Sequence, residues 1–203
     1  MKIALAQLNY HIANFEANCK KIIQHIEKAK SAQADLVVFS ELSICGYPPQ
    51  DLLEQEDFMA ETEKHVQLIA DASKGIAVII GAPVINKSKQ GKKLYNAAIF
   101  IDDGNIKHIQ AKTHLPTYDV FDEYRYFEHN TQFETIEYKG KRFALTICED
   151  LWDTQPVGNS FAKDRLYTVS PMKQYSEQKP DFVINIAASP FSYDQDDNRK
   201  NIL

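Results

Sequence analysis

The sequence predicts an α/β domain of layered sheets and helices. Three observations carry that prediction: strand and helix patterns alternate through the first 85 residues, two hairpin-like strand pairs follow, and another buried strand comes late in the chain. KIALAQL (2–8) reads as the opening strand, and Phe15, Cys19, Ile22, Ile23, Ile26 and Ala29 then recur at the spacing of one helical face. DLVVFS (35–40) is a short buried strand. The turn-rich ELSICGYPPQD (41–51) leads to a helical stretch over 56–72 and on to the strand IAVIIGAPV (76–84). LYNAAIFID (94–102), the turn DDGN and IKHIQAK (106–112) form one hairpin; FETIEY (133–138), the turn KGK and RFALTI (142–147) form another. DFVINIAA (181–188) is the late strand. The polar tail SPFSYDQDDNRKNIL (189–203) offers Asp194, Asp196 or Asp197 as a helix N-cap, then stops after little more than a turn. A helix begun and cut short is expected of a domain truncated at its C-terminal end. With no repeat, low-complexity tract or linker, one incomplete domain over residues 1–203 is expected.

Composition narrows the function. A chain of 203 residues can bury a substantial core, and a formal net charge of −5 with lysines scattered among acids lacks the footprint of a nucleic-acid binder. The longest apolar runs fall far short of the roughly 20 residues a membrane span needs. MKIALAQLNYHIANF soon turns polar, so it forms no signal-peptide core. A cytoplasmic protein is expected, with neither nucleic acid nor membrane as partner. Cys19, Cys45 and Cys148 are odd in number and widely spaced, which argues against a disulfide framework and a zinc site alike. Each stands as a free thiol.

Open α/β sheets bind ligands at the carboxyl ends of their strands. Glu41 follows DLVVFS, Lys112 follows IKHIQA and Cys148 follows RFALTI, so a carboxylate, an ammonium and a thiol are expected to converge on one edge. Together they suit acyl transfer. A thiol attacks only as thiolate, and Glu149 and Asp150 beside Cys148 are expected to disfavour that form. Cys148 therefore needs a base, which Glu41 supplies, while Lys112 offsets the negative charge and hydrogen-bonds the oxyanion. Backbone N–H groups after Cys148 add a second donor if the strand turns there into a helix. Such a site cleaves an amide or a nitrile through a thioester.

Other groups compete less well. Cys45 lies in ICGYPP, a turn fixed by Gly46, Pro48 and Pro49, where packing is the simpler role. His114 offers a Cys-His dyad with Cys148, against the plainer role of a loop histidine bonded to backbone. Asp194, Asp196 and Asn198 echo a calcium loop, but Arg199 and Lys200 replace the turn glycine and no glutamate follows. The lysines of NKSKQGKK (86–93) flank a turn as a solvated edge. Neither G-x-G-x-x-G nor G-x-x-x-x-G-K-[ST] occurs.

FSELSICGYPPQDLL around Glu41, AKTHLPTYDVFDEYRYF around Lys112 and LTICEDLW around Cys148 together resemble the nitrilase superfamily of carbon-nitrogen hydrolases, whose members share a Glu-Lys-Cys triad. Within it, GYPPQDLL and LPTYDVFDEYRYF look most like the glutaminase domain of glutamine-dependent NAD(+) synthetases. The resemblance implies an α-β-β-α sandwich in which Cys148 attacks the side-chain amide of glutamine, Glu41 is the base and Lys112 the oxyanion partner. Glu123 matches a further glutamate placed beside the triad, where it holds Lys112 charged and aimed. By similarity Tyr47, Tyr118, Phe121, Glu149, Trp152 and Ser189 line the glutamine pocket, with Glu149 suited to the α-ammonium.

The match also departs from the pattern. Gln195 stands where related synthetases often carry a basic residue, although Arg199 is near. The ATP-using synthetase domain is absent from this chain, so no cofactor is expected here; ATP and magnesium belong to that domain. The resemblance further implies the synthetase domain of a longer protein as partner, and a homo-oligomer. Two alternatives stay open: a stand-alone amidase acting on another small amide, and a non-catalytic assembly module.

Overall fold

The computed structural model describes residues 1–118, 120–152 and 166–189. The polar tail, with Asp194, Gln195, Asp196, Asp197, Asn198 and Arg199, lies outside the described residues.

Among the described residues eight strands form two sheets. The larger has the order β1 (Ile3–Leu5), β2 (Leu36–Val38), β3 (Ala77–Ile85), β4 (Leu94–Asp102), β5 (Asn105–Ala111). Its first three strands are parallel and the last two antiparallel, so β2 and β5 point the same way. The smaller sheet has the order β6 (Ile136–Tyr138), β7 (Lys141–Ile147), β8 (Phe182–Ile186), with β7 and β8 parallel. Both expected hairpins form, and their turns carry positive φ where the sequence places Asp103-Gly104 and Lys139-Gly140. That backbone twist matches the twist of paired strands. The opening strand is shorter than KIALAQL: pairing to β2 ends at Leu5, beyond which Ala6 N–H alone reaches back to Val38.

Period-2 alternation sends neighbouring side chains into different layers. In β4, Ile99 and Ile101 face helices α1 (Phe15–Ser31) and α2 (Glu56–Ala72), whereas Ala98 and Phe100 face the second sheet. Val78 and Ile80 against Ala77 and Ile79 repeat the division in β3. The core between the sheets joins Leu36, Ile79 and Phe100 to Phe143, Leu145 and Ile147. Two short helices, α3 (Glu123–Tyr126) and α4 (Pro171–Ser176), complete the described α-helices; α4 lies beyond the second sheet, where the Tyr175 hydroxyl donates to the Leu145 carbonyl at 3.2 Å. Helix, sheet, sheet and helix follow in order. Among the described residues no helix is long and apolar enough to cross a membrane.

The strand that carries the first site residue is seated by a glycine. β3 passes so close to the turn after β2 that a Cβ on Gly81 would lie 2.3 Å from the Leu42 nitrogen and 2.6 Å from the Ser40 oxygen. Both are backbone atoms, so neither can swing aside. Gly81→Ala is expected to destabilise the fold by about 3 kcal/mol, read from urea unfolding midpoints. A loss below about 0.5 kcal/mol, the level of an ordinary surface change, would contradict this close approach.

Candidate active site

The three reactive residues meet at one end of the sandwich, but they come from both sheets rather than from the edge of one. Glu41 lies just past β2 and Lys112 just past β5, at the same end of the larger sheet; Cys148 directly follows β7 in the smaller one. Face-to-face packing brings the two carboxyl ends together. A backbone contact closes the gap, since Ala188 N–H beyond β8 donates to Glu41 Oε2 at 3.0 Å.

Lys112 is fully buried between two carboxylates. Its Nζ is 2.8 Å from Glu41 Oε1 and 2.7 Å from Glu123 Oε1. A buried ammonium without partners would shed its proton; here burial pulls the Lys112 pKa down, yet the two carboxylates raise it well above the ordinary value. Asn96, on β4, donates to Glu41 Oε1 at 2.8 Å and to Glu123 Oε2 at 3.3 Å, and the Tyr47 hydroxyl donates to Glu123 Oε1 at 2.8 Å. Burial pushes the Glu123 carboxyl up to about 7 against the pull of Lys112.

Two backbone positions are strained at the site. Leu42, directly after Glu41, has φ +46°, and Cys148 itself has φ +45°. Left-handed backbone costs a non-glycine residue roughly 1 kcal/mol, and such residues cluster where a side chain must be aimed. The Leu42 turn is docked on β3 by Ser43, whose hydroxyl donates to the Gly81 carbonyl at 3.4 Å and accepts from the Gly81 N–H at 3.3 Å. At Cys148 the strand passes straight into a 3₁₀ turn, Cys148–Leu151.

Asp150 fixes that turn. Its Oδ1 accepts from the backbone N–H of Thr113 and of His114, each at 2.9 Å, and its Oδ2 accepts from Ile147 N–H at 3.0 Å. One carboxylate thus ties the segment after Lys112 to the residue before Cys148. Glu149 points elsewhere, with its Oε1 accepting from Tyr118 at 2.7 Å and Tyr167 at 3.0 Å.

The thiol is nearly buried, and its Sγ lies 3.4 Å from Ser189 Oγ. Its pKa is pushed up to about 12, first by burial and then by the Glu41 charge, with Lys112 and Ser189 pulling back. The sequence pointed to Glu149 and Asp150 as the opposing charges. Their carboxylates are occupied by tyrosine hydroxyls and backbone N–H groups, and Glu41 is the acid that acts most strongly on the sulfur.

The aromatic residues form a wall beside this cluster. Phe121 has its ring centroid 6.3 Å from that of Tyr47 and 5.6 Å from that of Tyr118. Trp152 is half-buried after the Cys148 turn, its backbone N–H donating to the Glu149 carbonyl at 2.9 Å. His114 is no partner of the thiol: Nδ1 meets the Glu149 carbonyl at 3.1 Å, Nε2 meets the Val169 carbonyl at 2.9 Å, and the ring stacks on Tyr167 at 3.9 Å. Cys45 is fully buried with its Sγ on backbone carbonyls, and Cys19 packs in α1. Asn96, Tyr167 and the clamp made by Asp150 were not singled out from sequence. Asn96 leaves a trace, an amide inside the apolar run LYNAAIFID, whereas Tyr167 sits where no periodicity marks an element. Among the described residues no His, Cys, Asp and Glu cluster could hold a metal ion.

The family model for carbon-nitrogen hydrolases matches residues 2–157. The chain belongs to the carbon-nitrogen hydrolase family. Within that family it is 40% identical over 194 residues to the glutamine-dependent NAD(+) synthetase of a Synechocystis strain, covering 94% of this chain and 34% of the relative. The Aquifex aeolicus protein of the same name is 34% identical over 193 residues, covering 94% and 30%. The solved glutamine-dependent NAD+ synthetase of Acinetobacter baumannii superposes with a TM-score of 0.83 at 33% identity, over 98% of this chain and 34% of that one. The chain thus spans about a third of the length of these relatives. An amidase from a Nesterenkonia species, 18% identical, shares the family fold with a TM-score of 0.77 over 96% of this chain and 67% of its own.

A thiol held near 12 gains about tenfold in thiolate fraction per pH unit below that value. Alkylation of Cys148 in the ligand-free protein is therefore expected to climb from pH 6 to pH 9 without a plateau. Full reactivity already at pH 5 would contradict a thiol kept protonated by burial and Glu41.

Proposed function

We propose that the chain is a cysteine amidohydrolase, the glutaminase portion of a glutamine-dependent NAD(+) synthetase, with Cys148, Glu41 and Lys112 as its catalytic residues. The observation that carries this reading is the buried Lys112 held between Glu41 and Glu123 at the strand end shared with Cys148. The likeness to glutamine-dependent NAD(+) synthetases along nearly the whole chain supports glutamine as the amide.

The chemistry follows from the charges. Glu41 takes the Cys148 proton as the sulfur attacks the amide carbon; the C=O π electrons move to oxygen, and the oxyanion is met by Lys112 and by backbone N–H groups of the Cys148 turn. Collapse breaks the C–N bond. The proton on Glu41 passes to the leaving nitrogen, which departs as ammonia and leaves a thioester. Glu41 then deprotonates a water that attacks the thioester, and the thiol leaves with that proton. Glu123 keeps Lys112 charged and in place. Glu149, oriented by Tyr118 and Tyr167, suits the α-ammonium of glutamine, while Tyr47, Phe121, Trp152 and Ser189 line the pocket. The ammonia goes to a synthetase portion that uses ATP and magnesium to amidate deamido-NAD. The three free, buried thiols support a reducing, cytoplasmic compartment.

Ammonia release from glutamine by the complete protein tests this. Cys148→Ala is expected to abolish it and Glu41→Gln to slow it about a thousandfold, while asparagine and simpler amides are poor substrates. Undiminished release by Cys148→Ala would overturn the mechanism; a marked preference for another small amide would point to a stand-alone amidase.

A further inference from the structure

Lys112 is not the only group that Glu41 and Glu123 share. The Asn96 amide donates one hydrogen to each, while its own Oδ1 is buried with no partner among the described residues. An orphaned buried acceptor is costly, and the orientation that produces it is informative. Turned over, the amide would aim Oδ1 at two carboxylate oxygens, which is tolerable only if one of them carries a proton. As oriented, the NH₂ group suits two ionised carboxylates.

Strand pairing aims Asn96. It sits within β4 opposite Pro83, and its own carbonyl accepts from Lys112 N–H at 2.8 Å, so one residue meets both the backbone and the carboxylate partners of the lysine. The groups facing Glu123 are Lys112 from the end of β5, Glu41 from the turn after β2, Tyr47 from the following loop and Asn96 from β4. Cys148 faces Lys112 and Glu41 from β7.

We propose that Asn96 is a positioning residue, whose NH₂ group sets the spacing of Glu41 and Glu123 around Lys112 and holds the Glu123 carboxylate ionised beside the lysine. This rests on the reading of Glu41 as the base and Lys112 as the oxyanion partner. With Glu123 brought by burial to about 7, protonation lies close at hand under neutral conditions. A proton there would leave Lys112 balanced by one anion and free to shift. Lys112 and the Tyr47 hydroxyl oppose that proton at Oε1, and Asn96 is the donor that meets Oε2 among the described residues, so the amide adds to their pull on the oxygen they leave open. A donor bonded to the ionised form lowers a carboxyl pKa; removing the donor raises it.

The test titrates the complete protein by infrared difference spectroscopy, following the carboxylic-acid band that Glu123→Gln removes. In Asn96→Ala that band is expected to persist to about one pH unit higher than in the unmodified protein. In Asn96→Leu, close in shape and without a donor or a titrating group, it should persist at least as far. The acid limb of the glutamine kcat profile should move the same way, with KM changed less than twofold. Should Asn96→Leu fail to fold, Asn96→Ser, which keeps one donor, is expected to show an intermediate shift. A band that titrates at the unmodified pH in these variants would overturn the proposal, as would full kcat in Asn96→Leu, the result if the residue merely fills space. Absence of any glutamine turnover in the unmodified protein would instead overturn the proposed function, and the infrared shift would still decide the role of Asn96.

Discussion

A single buried cation sets the terms for this site. Lys112 has no exposure to water, and removing one partner from a buried ion pair typically costs about 3–5 kcal/mol; the structure meets that demand with two carboxylates rather than one. The surplus negative charge is then the site's main electrostatic feature. It keeps the lysine protonated, and through Glu41 it adds to the burial that keeps the nearby thiol protonated. A resting cysteine of this kind is protected from adventitious oxidation and alkylation, since the thiolate is the reactive form. On the proposed function, activation comes with the substrate: its carbonyl would give Lys112 a developing oxyanion to stabilise and Glu41 a reason to accept a proton.

The fold supports the cation from every side. β2 and β5 deliver Glu41 and Lys112 to one end of the larger sheet, β4 between them contributes Asn96, and the smaller sheet brings Cys148 and the Ala188 N–H. The left-handed residues at Leu42 and Cys148 turn the chain sharply at these strand ends. Gly81 lets β3 pass under the first turn, and Asp150 stitches the second to the segment after Lys112. A cavity of about 1000 Å³ lies elsewhere, against Leu53, Met59, Lys92 and Tyr126, so pocket size alone would mislead about the chemistry here.

Much of this could be read from the chain. Apolar runs of strand length and the 3.6-residue spacing of Phe15, Cys19, Ile22 and Ile26 gave the layers, because burial on one face leaves a periodic trace. Strand ends carrying Glu41, Lys112 and Cys148 were visible for the same reason: polarity begins where the sheet stops. Other features left no local signal. That the strand ends belong to two sheets depends on packing between segments distant in sequence. The occupation of Glu149 by Tyr118 and Tyr167, and of Asp150 by three backbone N–H groups, depends on where those carboxylates point, and so the charge that raises the thiol was assigned to the wrong acids. Asn96 is intermediate; an amide inside a β-run is conspicuous, but its partners come from loops distant in sequence.

The central claim is that an amide-bearing substrate turns an inert, protonated Cys148 into the nucleophile. A diazoketone analogue of glutamine tests it most directly, because alkylation by such a compound requires binding and then attack by the activated nucleophile. Peptide mass spectrometry is expected to find one label, on Cys148 rather than Cys19 or Cys45, appearing in step with loss of ammonia release and blocked by excess glutamine. Complete inactivation with Cys148 unmodified, or full activity with Cys148 labelled, would contradict the account.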